Sequence, residues 1–281
     1  MMAGCENMST TSTSTLDSTQ VANLIPPKRV QDAHSWAKDI DTIFGTLNIP
    51  KTTQNVCTVI AVIDQESNFV ADPTVPNLGN ASLKALEDKL EDKLGKTMAG
   101  YFRNMLATKP DPKNNFIKQI KAVKTERELD ELYRKMFAYF GETYKVGAIN
   151  QTAKLLGNGI DEKLNPITTL GSMQVHIDYA KHHRRTSMTD DALRDDLYSQ
   201  YGGLYYGIHR LMLYKADYDK PLYRFADYNS GMYSSRNAAF QEQLAAVTGK
   251  SLTLDGDLLL YDGDGNPKAQ AGQTEQALQT L

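Results

Sequence analysis

Three observations predict a mostly α-helical fold. Apolar residues recur at spacings of three and four along most of the chain, strand-like alternation is scarce, and helix start and stop residues bracket the periodic stretches. The chain has 281 residues, 41% hydrophobic and 23% charged, enough to bury a sizeable core without disulfides or a structural metal. Its 31 basic and 34 acidic residues give a net charge of −3, which argues against a general nucleic-acid binder. No run of 18 apolar residues is present to form a spanning helix. Two cysteines, Cys5 and Cys57, exclude a disulfide scaffold and a Cys-rich zinc module.

Residues 1–25 are expected to be a flexible tether, because Ser9 to Ser18 is almost entirely Ser and Thr and has little to bury. Ahead of it, Ala3-Gly4-Cys5 resembles the end of a bacterial lipoprotein signal, in which the Cys is lipidated. That resemblance implies lipid on Cys5, a periplasmic and outer-membrane-anchored protein, and a native gene encoding an apolar segment ahead of Met2. Read by composition alone, the stretch is a disordered terminus with an incidental thiol.

From Val30 onward the helices follow in order. Ala33, Trp36, Ile40, Ile43, Phe44 and Leu47 form one stripe. Val56 to Ile63 is apolar nearly all round and predicts a buried helix. Leu83, Leu86, Leu90 and Leu94 form the next stripe, with Gly95 as its stop. Thr125 and Glu128 have capping-box spacing ahead of Leu129, Leu132, Tyr133, Met136, Phe137 and Phe140, with Gly141 as the end. Thr189 opens a helix carrying Leu193, Leu197 and Tyr201, and Gly202-Gly203 predicts a break before Leu204, Ile208, Leu211 and Met212. Ser235 precedes a last helix with Phe240, Leu244 and Val247. The expected strands are Ser251 to Leu254 and Leu258 to Tyr261, a small C-terminal hairpin joined through Asp255-Gly256.

Several familiar sites fail. Gly95-Lys96-Thr97 lacks the Gly that a phosphate-binding loop needs at position 90, where Leu90 stands. Asp262, Asp264 and Asn266 open with calcium-loop spacing, but Pro267 replaces the required Gly and Gln273 the bidentate Glu, so a turn is the better reading. His176, His182 and His183 cluster in sequence, yet adjacent residues point to different helix faces, and a solvated basic patch outweighs a metal site. No cofactor or metal is expected.

The informative stretch is the end of the buried helix, Asp64-Gln65-Glu66-Ser67-Asn68-Phe69. A carboxylate there is costly unless paired or protonated, and that is the environment a general acid needs. Read alone, the stretch is better taken as a capped helix end with Glu66 in solvent. Two further segments follow in order: Gly171-Ser172-Met173-Gln174-Val175 and Tyr228-Asn229-Ser230-Gly231. With Glu66-Ser67-x-Phe69 they resemble the three motifs of lysozyme-like lytic transglycosylases, which cleave the glycan strands of bacterial peptidoglycan. Tyr206 to Met212 resembles the family's helix ahead of the third motif. Ser172 stands where Leu is usual, and Asp227 where Ala is usual. Glu66 and Met173 are 107 positions apart, several-fold more than is typical. As a whole the chain is similar to an uncharacterised lysozyme-like lipoprotein family of Gram-negative bacteria.

The transglycosylase resemblance implies a lysozyme-like fold at 26–70 and 167–250, interrupted by an inserted helical subdomain at 71–166 and followed by the hairpin and tail at 251–281. It implies Glu66 as the catalytic acid and base. Ser67, Met173, Gln174, Tyr228 and Asn229 would contact the acid or the sugars. The partner would be peptidoglycan glycan strands, with membrane anchoring through Cys5 and no nucleic acid. Ordinary core packing is the plainer reading of Met173 and Tyr228 taken singly. Two rival activities stay open: a water-using muramidase, with Asp227 or Asp178 as helper, and a non-catalytic peptidoglycan-binding lipoprotein.

Overall fold

A computed structural model describes residues 15–27, 30–143, 165–214, 223–225, 228, 234–260 and 268–281, without the side chains of 234–236. The fold is mostly helical with one two-stranded sheet among the described residues. Its contacts divide into two compact units, Met1–Phe69 with Leu204–Leu281, and Val70–Gly203. The residues 71–166 expected as an insertion thus share a unit with 167–203, which carries the second motif.

In the first unit, α1 (Ser18–Leu24) packs on α2 (Ala33–Thr46) and α3 (Thr53–Ser67). Asp17 caps α1 with a reciprocal box, its carboxylate accepting from Gln20 N at 2.8 Å. Thr52 caps α3 by accepting from Asn55 N at 3.2 Å. Trp36, Ile40, Ile43 and Phe44 of α2 and Val56, Val59, Ile60, Val62 and Ile63 of α3 are buried, as the apolar patterning predicts.

In the second unit, α4 (Leu78–Thr108) packs on α5 (Phe116–Ala122), and α5 on α6 (Glu126–Thr143). Gly95 interrupts α4, as expected of a stop, and a second helical stretch follows it. Its backbone is extended and left-handed (φ 74°, ψ 161°), which glycine alone adopts freely. Thr125 and Glu128 cap α6 as the spacing predicts, with Glu128 N donating to Thr125 Oγ1 at 3.2 Å. Strands β1 (Thr169–Leu170) and β2 (Val175–His176) pair antiparallel, Thr169 opposite His176 and Leu170 opposite Val175. Helices α7 (Ile177–His182) and α8 (Asp190–Leu197) follow, the latter capped by Thr189. Asp130 of α6 is fully buried on Arg194 of α8, with Asn165 donating to it at 2.7 Å.

Helix α9 (Gln200–Leu213) carries the chain from the second unit into the first. The break expected at Gly202-Gly203 is not there. These glycines sit inside α9 because the chain passes too close for side chains: a Cβ on Gly202 would lie 2.0 Å from the Asp196 carbonyl oxygen. Helices α10 (Ser234–Thr248) and α11 (Gln273–Leu278) pack together in the first unit.

The expected C-terminal hairpin is also absent from its described part, 251–260, which forms no strand. Gln241 of α10, 1% exposed, takes over the backbone groups a partner strand would have met. Its amide oxygen accepts from Gly256 N at 2.8 Å, and its nitrogen donates to Asp257 O at 3.0 Å and Asp255 Oδ1 at 2.9 Å. A loop satisfied by one buried side chain has no need of a ladder.

Candidate active site

Helix α3 delivers Glu66 on its last turn. The turns before it bury Val56, Val59, Ile60, Val62 and Ile63, so the carboxyl emerges beside an apolar face and is half-buried. Burial holds its pKa above the ordinary carboxylate value, while the charge of Arg210 pulls the other way. Among the described residues Glu66 makes neither a hydrogen bond nor an ion pair.

The backbone reverses directly after it. Asn68 (φ 49°) and Phe69 (φ 60°) are both left-handed, and the Phe69 ring is buried edge-on against Trp36 at 5.3 Å between centroids. Asn tolerates that conformation; a bulky residue does not readily. Apart from Asn, the described non-glycine residues with positive φ are Phe69 and Gln174, and each belongs to a motif singled out in the sequence. Strained backbone of this kind gathers where a site must hold its shape.

Arg210 completes this half of the site. It lies on α9, half-buried, with its guanidinium carbon 4.3 Å from the centroid of the Tyr228 ring. Tyr228 is 7% exposed. The Arg210 charge reaches Glu66, yet the two are not close enough to form an ion pair. Glu66, Arg210 and Tyr228 thus stand together in the first unit: a proton donor with no hydrogen-bond partner among the described residues, a cation, and an aromatic wall. Sequence reasoning missed Arg210. The available signal was one charge among the apolar residues Leu204, Ile208, Leu211 and Met212 of a segment already noted for its resemblance.

Ser67 is not turned toward Glu66. It is 5% exposed, and its hydroxyl donates to the Ile63 carbonyl at 3.2 Å within α3. It closes the helix instead of orienting the acid.

The second unit holds Met173 and Gln174 in the turn between β1 and β2. Gly171 (φ 76°) opens the turn, Gln174 N donates to Gly171 O at 3.0 Å, and Gln174 (φ 47°) closes it. Gly171 admits no side chain, because a Cβ would lie 2.2 Å from the Leu197 carbonyl oxygen. Met173 is fully buried and packs the turn down, so its plainer role, core packing, is the observed one. The Gln174 amide is engaged inside the protein. Thr169 Oγ1 donates to its oxygen at 2.8 Å, and its nitrogen donates to Glu126 Oε2 at 3.2 Å and Gly171 O at 3.3 Å. Glu126 is a further carboxyl the sequence did not single out. Burial raises its pKa, the Gln174 hydrogen bond opposes this, and the nearby Asp72 charge adds to it.

Asn229, Asp227 and Cys5 lie outside the described residues. Asp178 is exposed, beside His176 at 3.6 Å. His182 and His183 bond to the Asp178 and Tyr179 carbonyl oxygens, and among the described residues no group of three His, Cys, Asp or Glu is placed to hold a metal ion.

Comparison with known proteins gives a family and one relative. The relative is the "Uncharacterized protein YaiW" of Escherichia coli (strain K12), 35% identical over 268 residues, covering 95% of this chain and 68% of that protein. No solved structure matches. The family described as "Protein of unknown function (DUF1615)" matches residues 29–281, nearly the whole chain, and the protein belongs to that family.

Proposed function

We propose that this protein is a peptidoglycan lytic transglycosylase with a lysozyme-like fold. The observation that carries the reading is the state of Glu66: half-buried, raised in pKa and without a hydrogen-bond partner among the described residues, at the end of a buried helix whose chain then turns through two left-handed residues. A carboxyl so placed keeps its proton to higher pH than an ordinary carboxylate and can hand it to a substrate oxygen.

In the proposed reaction Glu66 protonates the glycosidic oxygen between N-acetylmuramic acid and N-acetylglucosamine. The bond from that oxygen to the anomeric carbon breaks, and the proton stays on the leaving hydroxyl. The Glu66 carboxylate then takes the proton of the muramoyl 6-hydroxyl as that oxygen bonds the anomeric carbon. The product is a 1,6-anhydro sugar, Glu66 ends protonated, and no water is consumed. One carboxyl serves both steps, so the second carboxylate of the paired glycosidases is not required. Tyr228, held by Arg210, walls the acid, and Asn229 adds a polar contact. Lipid on Cys5 would hold the protein at the periplasmic side of the outer membrane, and further acyl chains would make the anchor stable.

Digestion of intact glycan strands followed by mass spectrometry tests this. Anhydro ends support the reading, and reducing ends would replace it with a water-using muramidase. Ser67 and Gln174 favour a second reading, because their polar atoms are spent inside the protein. On that reading the chain binds strands without cutting them, and no ends of either kind appear. Mass spectrometry of protein from its own host tests the anchor: a diacylglyceryl mass on the Cys5 peptide supports it, and a disulfide from Cys5 to Cys57 refutes it.

A further inference from the structure

Among the arginines whose side chains are described, Arg210 alone lacks both an ion pair and a hydrogen bond. Arg103, Arg127, Arg134, Arg184, Arg185 and Arg194 each hold a carboxylate, and Arg224 donates to the Leu211 and Tyr214 carbonyl oxygens. Arg210 is half-buried over the Tyr228 ring, which fixes the guanidinium while leaving its N–H donors without a partner among the described residues. Five donors in a rigid fork match a carboxylate, and a guanidinium already ordered by stacking loses little freedom when it binds one. Glu66 feels this charge but stays out of ion-pair reach, so the cation is not consumed by that acid.

Resting on the glycan reading above, we infer that Arg210 on Tyr228 is a receptor for a carboxylate carried by the sugar itself. The site then takes strands whose muramoyl lactyl carboxyl is free in preference to strands in which that carboxyl is amide-linked to a stem peptide. The amide has no charge and offers one oxygen where the carboxylate offers two.

Binding in the Glu66→Gln variant decides this, because turnover is removed. Three probes are compared: strands stripped of stem peptides by an amidase, the same strands methyl-esterified, and peptide-bearing strands. The stripped strands are expected to bind about 10- to 100-fold more tightly than the esterified ones, the range of a charge-assisted hydrogen-bond pair. In Glu66→Gln/Arg210→Gln the ratio falls to about one, and Arg210→Lys, which keeps charge but not the fork, retains part of it. The esterified comparison needs no Arg210 variant, so a poorly folding substitution leaves the test intact. Equal binding of free and esterified strands, or a preference that survives Arg210→Gln, overturns the inference. A wild type that releases no ends while keeping the preference sinks the transglycosylase reading and leaves the carboxylate receptor standing. Absence of binding to all three probes overturns both.

Discussion

The guanidinium of Arg210 lies 4.3 Å from the centroid of the Tyr228 ring, across 18 residues of chain, and its charge reaches the half-buried Glu66 without pairing with it. Two of the three motif segments that are far apart in sequence thus meet through a residue that belongs to neither. The stacking sets where the cation stands, and the cation sets how far burial can raise the acid.

Glu66→Gln keeps size and shape and removes the transferable proton. Cleavage of glycan strands is expected to fall by about 10²–10⁴, the usual contribution of general acid–base catalysis. The stability effect has a definite sign. The folded-state pKa is raised, so the stabilising increment is full below the ordinary carboxyl value of 4.5 and is lost as pH rises through the folded value. The variant has no such loss, so its melting temperature relative to wild type should climb as pH is raised from below 4.5 toward neutrality. Parallel curves with pH, or a folded variant with full activity, would refute the assignment.

Arg210→Met keeps most of the stem and removes the charge. The influence lowering the Glu66 pKa is then gone, and burial acts unopposed. The alkaline limb of the pH–rate profile is expected to move to higher pH, read from kcat/KM across pH 4 to 9 in steps of about half a unit. A limb that stays in place or moves down contradicts the coupling.

Arg194→Met tests the buried pair of the second unit. Asp130 is fully buried, and Arg194 and Arg134 offset the cost of its charge. Removing Arg194 leaves Asp130 under-compensated, which in buried pairs costs about 3–5 kcal/mol. Chemical denaturation should show the loss, and Asp130→Leu/Arg194→Met should recover much of it. A single variant as stable as wild type would mean that Arg134 and Asn165 suffice.

Gly202→Ala sets helix propensity against packing. Propensity favours Ala inside α9 by about 1 kcal/mol. The Cβ, however, would meet the Asp196 carbonyl oxygen at 2.0 Å and its carbon at 2.7 Å, both backbone atoms that cannot swing aside. Packing should win, and thermal unfolding should occur several degrees lower. A higher melting temperature would show that α8 and α9 can separate without loss.

The sequence by itself determined the helical class, the buried character of α3 and the caps at Thr125 and Thr189. These follow from periodicity and from side chains that bond to backbone within four residues, all of which are local. It also singled out Glu66, because a carboxylate ending an apolar helix is conspicuous in one dimension. Tertiary structure decided the rest. Strands of two residues are too short to show alternation, so β1 and β2 were illegible, and the Gly171–Gln174 turn depends on Leu197 lying against it. Gly202-Gly203 reads as a break because glycine disfavours helix; only the Asp196 backbone alongside shows that it marks a close approach. The 251–260 stretch reads as half a hairpin until Gln241, more than ten residues upstream, takes its backbone groups. Arg210 shares no spacing with Glu66, and their coupling exists only because α9 returns the chain to the end of α3, since charge acts through space and not along sequence.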